Sequence, residues 1–483
     1  MSLLLGIDVG TTATKGVLLD SDSGPIAEAE RPSRLISSQP GWAEEDPYAW
    51  WQNVCDICRE LAPHGEIRGV GVAGMVPCTI LLDQHLAPLR WSIQQNDGRA
   101  AAEIAELRRL VPPAMVLERT GSAITQQSTA PRLRWLARHE PDVWAQTRWV
   151  VGSYDFIAAR LTGQVAVESN WALEGGLYAF RAGCWDGDLV RLAGLSTEVL
   201  PPVLRPHDIA GEVTPKAAEA TGLAPGTPVV AGCADHIGST LAVGVLRPGD
   251  LLLKLGGAGD VMLVVDEPKV DERLYLDFHL IPGRFVVNGC MATTGSLIRW
   301  FQAQLAPDLD LAQLDAEAEA AGPGAGGIVA LPYFLGEKTP LQDPRASGAL
   351  VGLRLDHTRG HLFRAVLEAT AFGFRHHLDV LREDGYTITH TRLAEGGARS
   401  RVWTQILADV LDLPLEKVTV RSGSALAAAF AAGVGIGVFR DWYEIERFAT
   451  ASAVVQPTPR AVYDRHYSIY RSLYPALQEV LRT

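Results

Sequence analysis

Two short glycine-bearing stretches of this 483-residue chain suit an anionic ligand. In "DVGTTATK", Gly10 lets the backbone turn sharply and come close to an anion, and Thr11 and Thr12 offer hydroxyls and N–H groups. Asp8, at a strand end, can hold Mg2+ directly or through water. Lys15 adds a positive charge, or simply decorates the exposed face of the next strand. In "GGAG", the N–H groups of Gly256, Gly257 and Ala258 can point at phosphate oxygens. Asp235 closes the apolar run "TPVVAGCAD", where a rigidly held carboxylate can take the proton of a hydroxyl. A helix N-cap is the competing use of Asp235, and the two uses are compatible. In "EGGARS", Gly396 and Gly397 remove side chains, so that a flat base can lie against the backbone next to Ala398. Phosphoryl transfer needs these parts: a cradle for the phosphates, held Mg2+, an aimed hydroxyl and a base.

The elements that must position these residues read as alternating strands and helices. "LLLGIDVGTTATKGVLLD" is strand, tight turn, strand, and "LLLKLGGAGDVMLVVD" repeats that plan about half the chain later. "GVGVAGM" is another buried strand, opening into Val76, Pro77 and Cys78. Helical patterns cover Arg99 to Leu110, Pro131 to Arg138, Leu311 to Ala321 and His361 to Arg382. In α/β proteins ligands collect at strand ends and helix starts, which is where the candidates lie. "GVLRPGDL" marks the boundary, giving an N-terminal domain 1–246 and a C-terminal domain 247–455. A final helix within 456–483, from about Pro459 to Leu481, can belong to either domain, including packing back on the first.

The net charge of −13 and pI near 5.4 argue against nucleic acid or anionic lipid as the main partner. A strand begins almost at once, leaving no room for a signal peptide. The stretch Ser424 to Phe439 is too short and glycine-rich to span a bilayer and reads as a packed helix. A cytoplasmic enzyme is the expectation. Cys55 and Cys58 sit in "DPYAWWQNVCDICRELA", a helix with Asp46 as N-cap and Pro47 first; without a second pair, they read as buried thiols rather than a zinc site.

Several motifs in order resemble the FGGY carbohydrate kinases, the group containing xylulokinase, glycerol kinase, gluconokinase and ribulokinase. They are "GIDVGTTATK", "NDGRA", "TAPRLRWLARHEP", "AGCADHIGST", "LPYFLGEKTP", "GALVGLRLDHTRGHLFRAVLE" (Gly348 to Glu368) and "EGGARS". The resemblance implies an α/β protein of two ribonuclease-H-like domains of the actin/hexokinase type, flanking a central cleft for MgATP and a small sugar or polyol. It implies Asp235 as catalytic base, with Asp8 and Asp235 near Mg2+. Thr11, Thr12, Lys15 and Gly256 to Ala258 fall on the phosphate side, and Gly396 to Ala398 form the adenosine wall. Val76, Pro77, Asn96 and Asp97 fall on the sugar side, and a homodimer is expected by analogy only.

Three departures stand out. Val76-Pro77 replaces a Met-His pair that meets the sugar in xylulokinases, removing a donor. "KLGGAGDV" replaces Leu-Gly-Thr-Ser, removing two hydroxyls from the phosphate loop. Arg132 stands where a lysine is expected. A ketopentose such as xylulose remains the leading substrate. The first two departures leave a second reading open, a catalytically weak sugar- or nucleotide-binding regulator on the same fold; an ATPase machine of the actin type is a third.

Overall fold

The computed structural model describes residues 2–458 and 460–481. Pro459, where the sequence reading starts the last helix, lies outside the described residues. The chain divides into two compact units: Met1–Leu246 with Asp266–Val286 and Val420–Ala449, and Arg247–Val265 with Val287–Thr419 and Thr450–Thr483.

The first unit is built on one mixed sheet. Its strands are β1 (Leu3–Val9), β2 (Ala13–Asp20), β3 (Gly24–Pro32), β4 (Ile67–Gly74), β5 (Ile209–Glu212), β6 (Pro228–Val230) and the short β7 (Cys233–Ala234). The order is β5-β6-β4-β1-β2-β3, with β7 also paired to β4. β1, β2 and β3 run antiparallel in sequence; β4 returns parallel to β1, and β6 and β7 lie parallel to β4. Leu4, Leu5, Ile7 and Val9 are wholly buried, as expected of a central strand covered on both faces.

One cover of that sheet is the helix Gly423–Gly435, whose apolar sequence had raised the question of a membrane. It lies almost against the strands. A Cβ placed at Gly6 would fall 1.8 Å from the Ala425 carbonyl oxygen, and one at Gly71 would fall 2.0 Å from that of Ala428. Small residues on both partners allow this approach. Among the described residues no helix is long and apolar enough to cross a membrane.

The second unit carries β8 (Asp250–Leu255), β9 (Gly259–Val265), β10 (Phe285–Met291), β11 (His390–Ala394), β12 (Leu415–Thr419) and β13 (Thr450–Val455), in the order β10-β9-β8-β11-β12-β13. This repeats the first sheet: a hairpin, a third strand outside it, and a fourth strand parallel to the first. The 25-residue helix Arg359–Glu383 is the long buried element of this unit. Its Glu368, at the end of the "GALVG" motif, accepts from Arg364 at 2.8 Å and from the Gly324 N–H at 2.9 Å. That glutamate locks the helix to a glycine-rich turn. The final helix, Ala461–Leu481, belongs to this second unit. Its tyrosines recur on one face and pack on second-unit aromatics, with Tyr470 donating to or accepting from Tyr333 at 2.9 Å and Phe372 flanked by Tyr463, Tyr467 and Tyr470.

Candidate active site

In the first unit, strand register brings the sequence candidates to one sheet edge. Asp8 pairs with Ala73, Ala73 pairs with Cys233, and Gly74 pairs with both Val9 and Ala234. Asp235 therefore emerges one residue past the same edge at which β4 opens into Met75 and Val76. Gly232 makes this possible. Its φ of +89° suits glycine, and a Cβ there would lie 1.8 Å from the Val72 carbonyl oxygen, so the chain can swing back against β4 only without a side chain. The Gly10 turn is closed by its N–H on the Ala13 carbonyl at 3.1 Å, and the Thr11 hydroxyl reaches the Met75 sulfur at 3.6 Å. Thr12 and Lys15 are exposed; Lys15 is the cross-strand partner of Asp8.

Asp235 is the first residue of the helix Asp235–Ala242, not its N-cap, which is Ala234. Its side chain is 37% exposed. Oδ1 accepts from the His236 N–H at 2.6 Å and lies 3.5 Å from His236 Nδ1, while Oδ2 takes no hydrogen bond from the described residues. One oxygen is thus held and the other is available, the arrangement a general base needs.

His236 turns its other ring nitrogen to two further carboxylates, with Nε2 3.4 Å from Asp277 Oδ2 and 3.7 Å from Glu174 Oε1. Burial works to lower the His236 pKa, yet the charges of Asp277, Asp235 and Glu174 carry it well above the ordinary histidine value. Burial first, and then the neighbouring Asp277, push Glu174 well above the usual carboxylate range.

The remaining sugar-side candidates differ in access. Asn96 is exposed, whereas Val76, Pro77 and Asp97 are buried. The Asp97 carboxylate is committed internally: Oδ2 accepts the Ala43 N–H at 2.6 Å and Arg99 Nη2 at 2.8 Å, and Oδ1 accepts the Arg99 N–H at 2.9 Å. Arg132, 2% exposed, donates to the carbonyls of Pro77, Gln95 (3.1 Å) and Gln126 (2.6 Å). It ties together the two loops that carry Val76-Pro77 and Asn96-Asp97.

In the second unit, the two glycine turns meet at one sheet edge because β8 and β11 are parallel neighbours with Lys254 paired to Ala394. The "GGAG" turn has its carbonyls drawn to one side. Gly256 O accepts from the Gly295 N–H at 2.8 Å and the Thr294 hydroxyl at 2.9 Å, and Gly257 O accepts from the Thr294 N–H at 2.9 Å and the Ser296 hydroxyl at 2.8 Å. Hydroxyls missing from the loop itself are present beneath it and grip its carbonyls. Gly397 cannot carry a side chain, because a Cβ would lie 2.6 Å from Leu255 Cβ and 2.5 Å from the Trp403 ring; at Gly396 nothing lies within 4 Å. Ala398 is buried. Glu395, just before, has φ +77°, an uncommon backbone state for a non-glycine residue that costs about 1–3 kcal/mol and tends to occur at functional turns.

The family model for the N-terminal domain of the FGGY family of carbohydrate kinases matches residues 3–242, and that for the C-terminal domain matches 255–436. The chain belongs to the FGGY family of carbohydrate kinases. Its fold is the actin/hexokinase-like fold of that family, and the chain is an ATP-dependent sugar kinase. It is similar to the crystal structure of xylulose kinase from Rhodospirillum rubrum, at 45% identity, with 100% of both chains covered and a TM-score of 0.94. It is 31% identical to the xylulose kinase of Escherichia coli (strain K12), over 88% of this chain and 89% of that one. It is 30% identical to the L-xylulose/3-keto-L-gulonate kinase of the same strain, over 98% and 97%.

Within this FGGY kinase, sequence reasoning did not reach Glu174, Asp277, Ser424 or Arg299. Ser424 donates to Asp8 Oδ2 at 2.7 Å. Arg299 is exposed beside the "GGAG" turn, its Nη2 3.2 Å from where a Gly257 side chain would begin. The adjacent histidine in "ADH" was the one local signal for a charged cluster around Asp235.

Proposed function

We propose that this kinase moves the γ-phosphoryl group of ATP to a hydroxyl of a xylulose-like ketopentose, with Asp235 as general base. The carrying observation is the divided carboxylate: Oδ1 anchored to His236, Oδ2 accessible. The acceptor hydroxyl donates to Oδ2. As its oxygen bonds to the γ-phosphorus and the bond to the β-phosphate oxygen breaks, the proton passes to Asp235 and ADP departs.

Asp8 and Asp235 supply the hard oxygen donors that suit Mg2+ and would hold it. Bound there, Mg2+ supplies charge neutralisation for the phosphates. Thr11, Thr12 and Lys15 suit phosphate oxygens. So do Gly256, Gly257 and Ala258, through N–H groups left over once the carbonyls are gripped by Thr294 and Ser296, and Arg299 adds positive charge beside that turn. The open position at Gly396, with Gly397 and Ala398, suits the flat face of adenine. On the sugar side, Asn96 reaches the substrate, while Val76 and Pro77 line its apolar edge. Asp97, engaged by Ala43 and Arg99, holds that loop in shape.

The ketopentose is supported by relatives described as xylulose kinases, and retention of Asp8, Asp235 and the Gly396-Gly397 pair favours catalysis over a weak regulator. A coupled ADP-release screen over pentuloses, hexuloses, polyols and aldonic acids tests the proposal. Xylulose should give the highest kcat/KM, and Asp235→Asn should lower kcat by about 10²–10⁴-fold. ADP release that ignores sugar, or an Asp235→Asn enzyme at the wild-type rate, overturns it.

A further inference from the structure

We propose that Glu174, His236 and Asp277 form a binding site for one divalent transition-metal ion of the zinc type, separate from the Mg2+ that accompanies ATP. The three side chains come from distant parts of the first unit: Glu174 closes the helix Ser169–Glu174, His236 is the second residue of the helix Asp235–Ala242, and Asp277 lies in the strand Tyr275–Phe278. One ligand atom from each can be chosen so that all lie within 4.8 Å of one another.

The spacing is that of a coordination shell. The separations at His236 Nε2, 3.4 Å to Asp277 Oδ2 and 3.7 Å to Glu174 Oε1, exceed the 2.7–2.9 Å typical of a charge-assisted hydrogen bond. Tetrahedral bonds of about 2.0–2.2 Å put neighbouring ligand atoms about 3.3–3.5 Å apart.

The donors are also shielded from water. The side chain of Asp277 is 1% exposed and that of Glu174 15%, and Glu174 Oε1 and His236 Nε2 are buried with no hydrogen-bond partner among the described residues. The second ring nitrogen faces a carboxylate, as is common in metal-bound histidines, with Nδ1 3.5 Å from Asp235 Oδ1. One nitrogen and two carboxylate oxygens favour zinc, cobalt or manganese over magnesium, which prefers oxygen alone. A water completes four-coordination.

The test uses the full chain, stripped with a chelator and free of nucleotide and sugar. Calorimetric titration with zinc chloride should show one saturable site. Cobalt(II) should give the visible absorption of a tetrahedral nitrogen–oxygen site, a readout that needs no variant. Glu174→Gln and His236→Asn, checked for folding by circular dichroism, should each weaken zinc binding about 10–100-fold, and Asp8→Asn should leave it unchanged. The inference is overturned by absence of saturable zinc binding in the wild type, by binding indifferent to both site substitutions, or by binding lost in Asp8→Asn. A wild type that binds no zinc yet phosphorylates sugar overturns this site alone; one that binds zinc but is silent towards every sugar overturns the kinase proposal alone.

Discussion

The Ser424 hydroxyl donates to Asp8 Oδ2 at 2.7 Å, across 416 residues of sequence. The serine follows the residue that starts the helix packed on β1 and β4, so the helix that covers the first sheet also aims the carboxylate at the sheet edge. A hydrogen bond to a charged group is worth about 1.5–3 kcal/mol. Ser424→Ala should therefore lower kcat by about tenfold or more, with KM for sugar little changed, because Asp8 is assigned to the phosphates and their metal. Steady-state kinetics with sugar and MgATP varied separately check this; an effect confined to sugar KM contradicts the assignment.

Arg132 illustrates how a change of one cation for another can be structural. Its planar fork serves three backbone carbonyls in a space nearly closed to water, and burial lowers its pKa to about 10. A lysine has one nitrogen and cannot span them in the same plane. Arg132→Lys should leave at least one buried carbonyl without a donor and cost about 1–3 kcal/mol. Chemical denaturation measures that loss. Sugar KM should rise more than KM for ATP, since the loops released are those of Val76-Pro77 and Asn96-Asp97.

Glu337 gives a pH prediction in the second unit. Its carboxyl is 5% exposed, and burial raises its pKa to about 8, opposed by hydrogen bonds from the N–H groups of Ala292 and Lys338. The folded pKa lies above the unfolded value of 4.5, so the folded state binds the extra proton. The stability this group contributes is complete below pH 4.5 and declines as pH rises towards 8, at up to about 1.4 kcal/mol per pH unit. Glu337→Gln should flatten the fall in denaturation midpoint over that interval. An unchanged pH profile in the variant would assign the slope to other groups.

What the sequence disclosed was local. The hairpins at Gly10 and Gly256 and the run into Asp235 each lie within a few residues, where apolar periodicity and glycine carry the signal. The helix N-cap at Asp46 was legible for the same reason, and its side chain accepts from the Tyr48 N–H. Contacts between distant segments were not legible. Nothing near His236 announces Glu174 or Asp277, and nothing near Asp8 announces Ser424. Asp97 and Asn96 are adjacent polar candidates in the sequence, yet one is buried on Arg99 and the other is exposed, because the distant Ala43 segment engages Asp97. The last helix was ambiguous because its tyrosine stripe needs aromatic partners, and those are supplied by Tyr333 and Phe372.

The lid on β1 and β4 has a temporal cost. Those strands are translated several hundred residues before Ala425 and Ala428, which press on Gly6 and Gly71. Until then the nascent sheet shows a bare, glycine-notched greasy face that other chains can adhere to. A ribosome that terminates before Ser424 releases a protein whose first domain is not merely missing a neighbour but lacks part of its own interior.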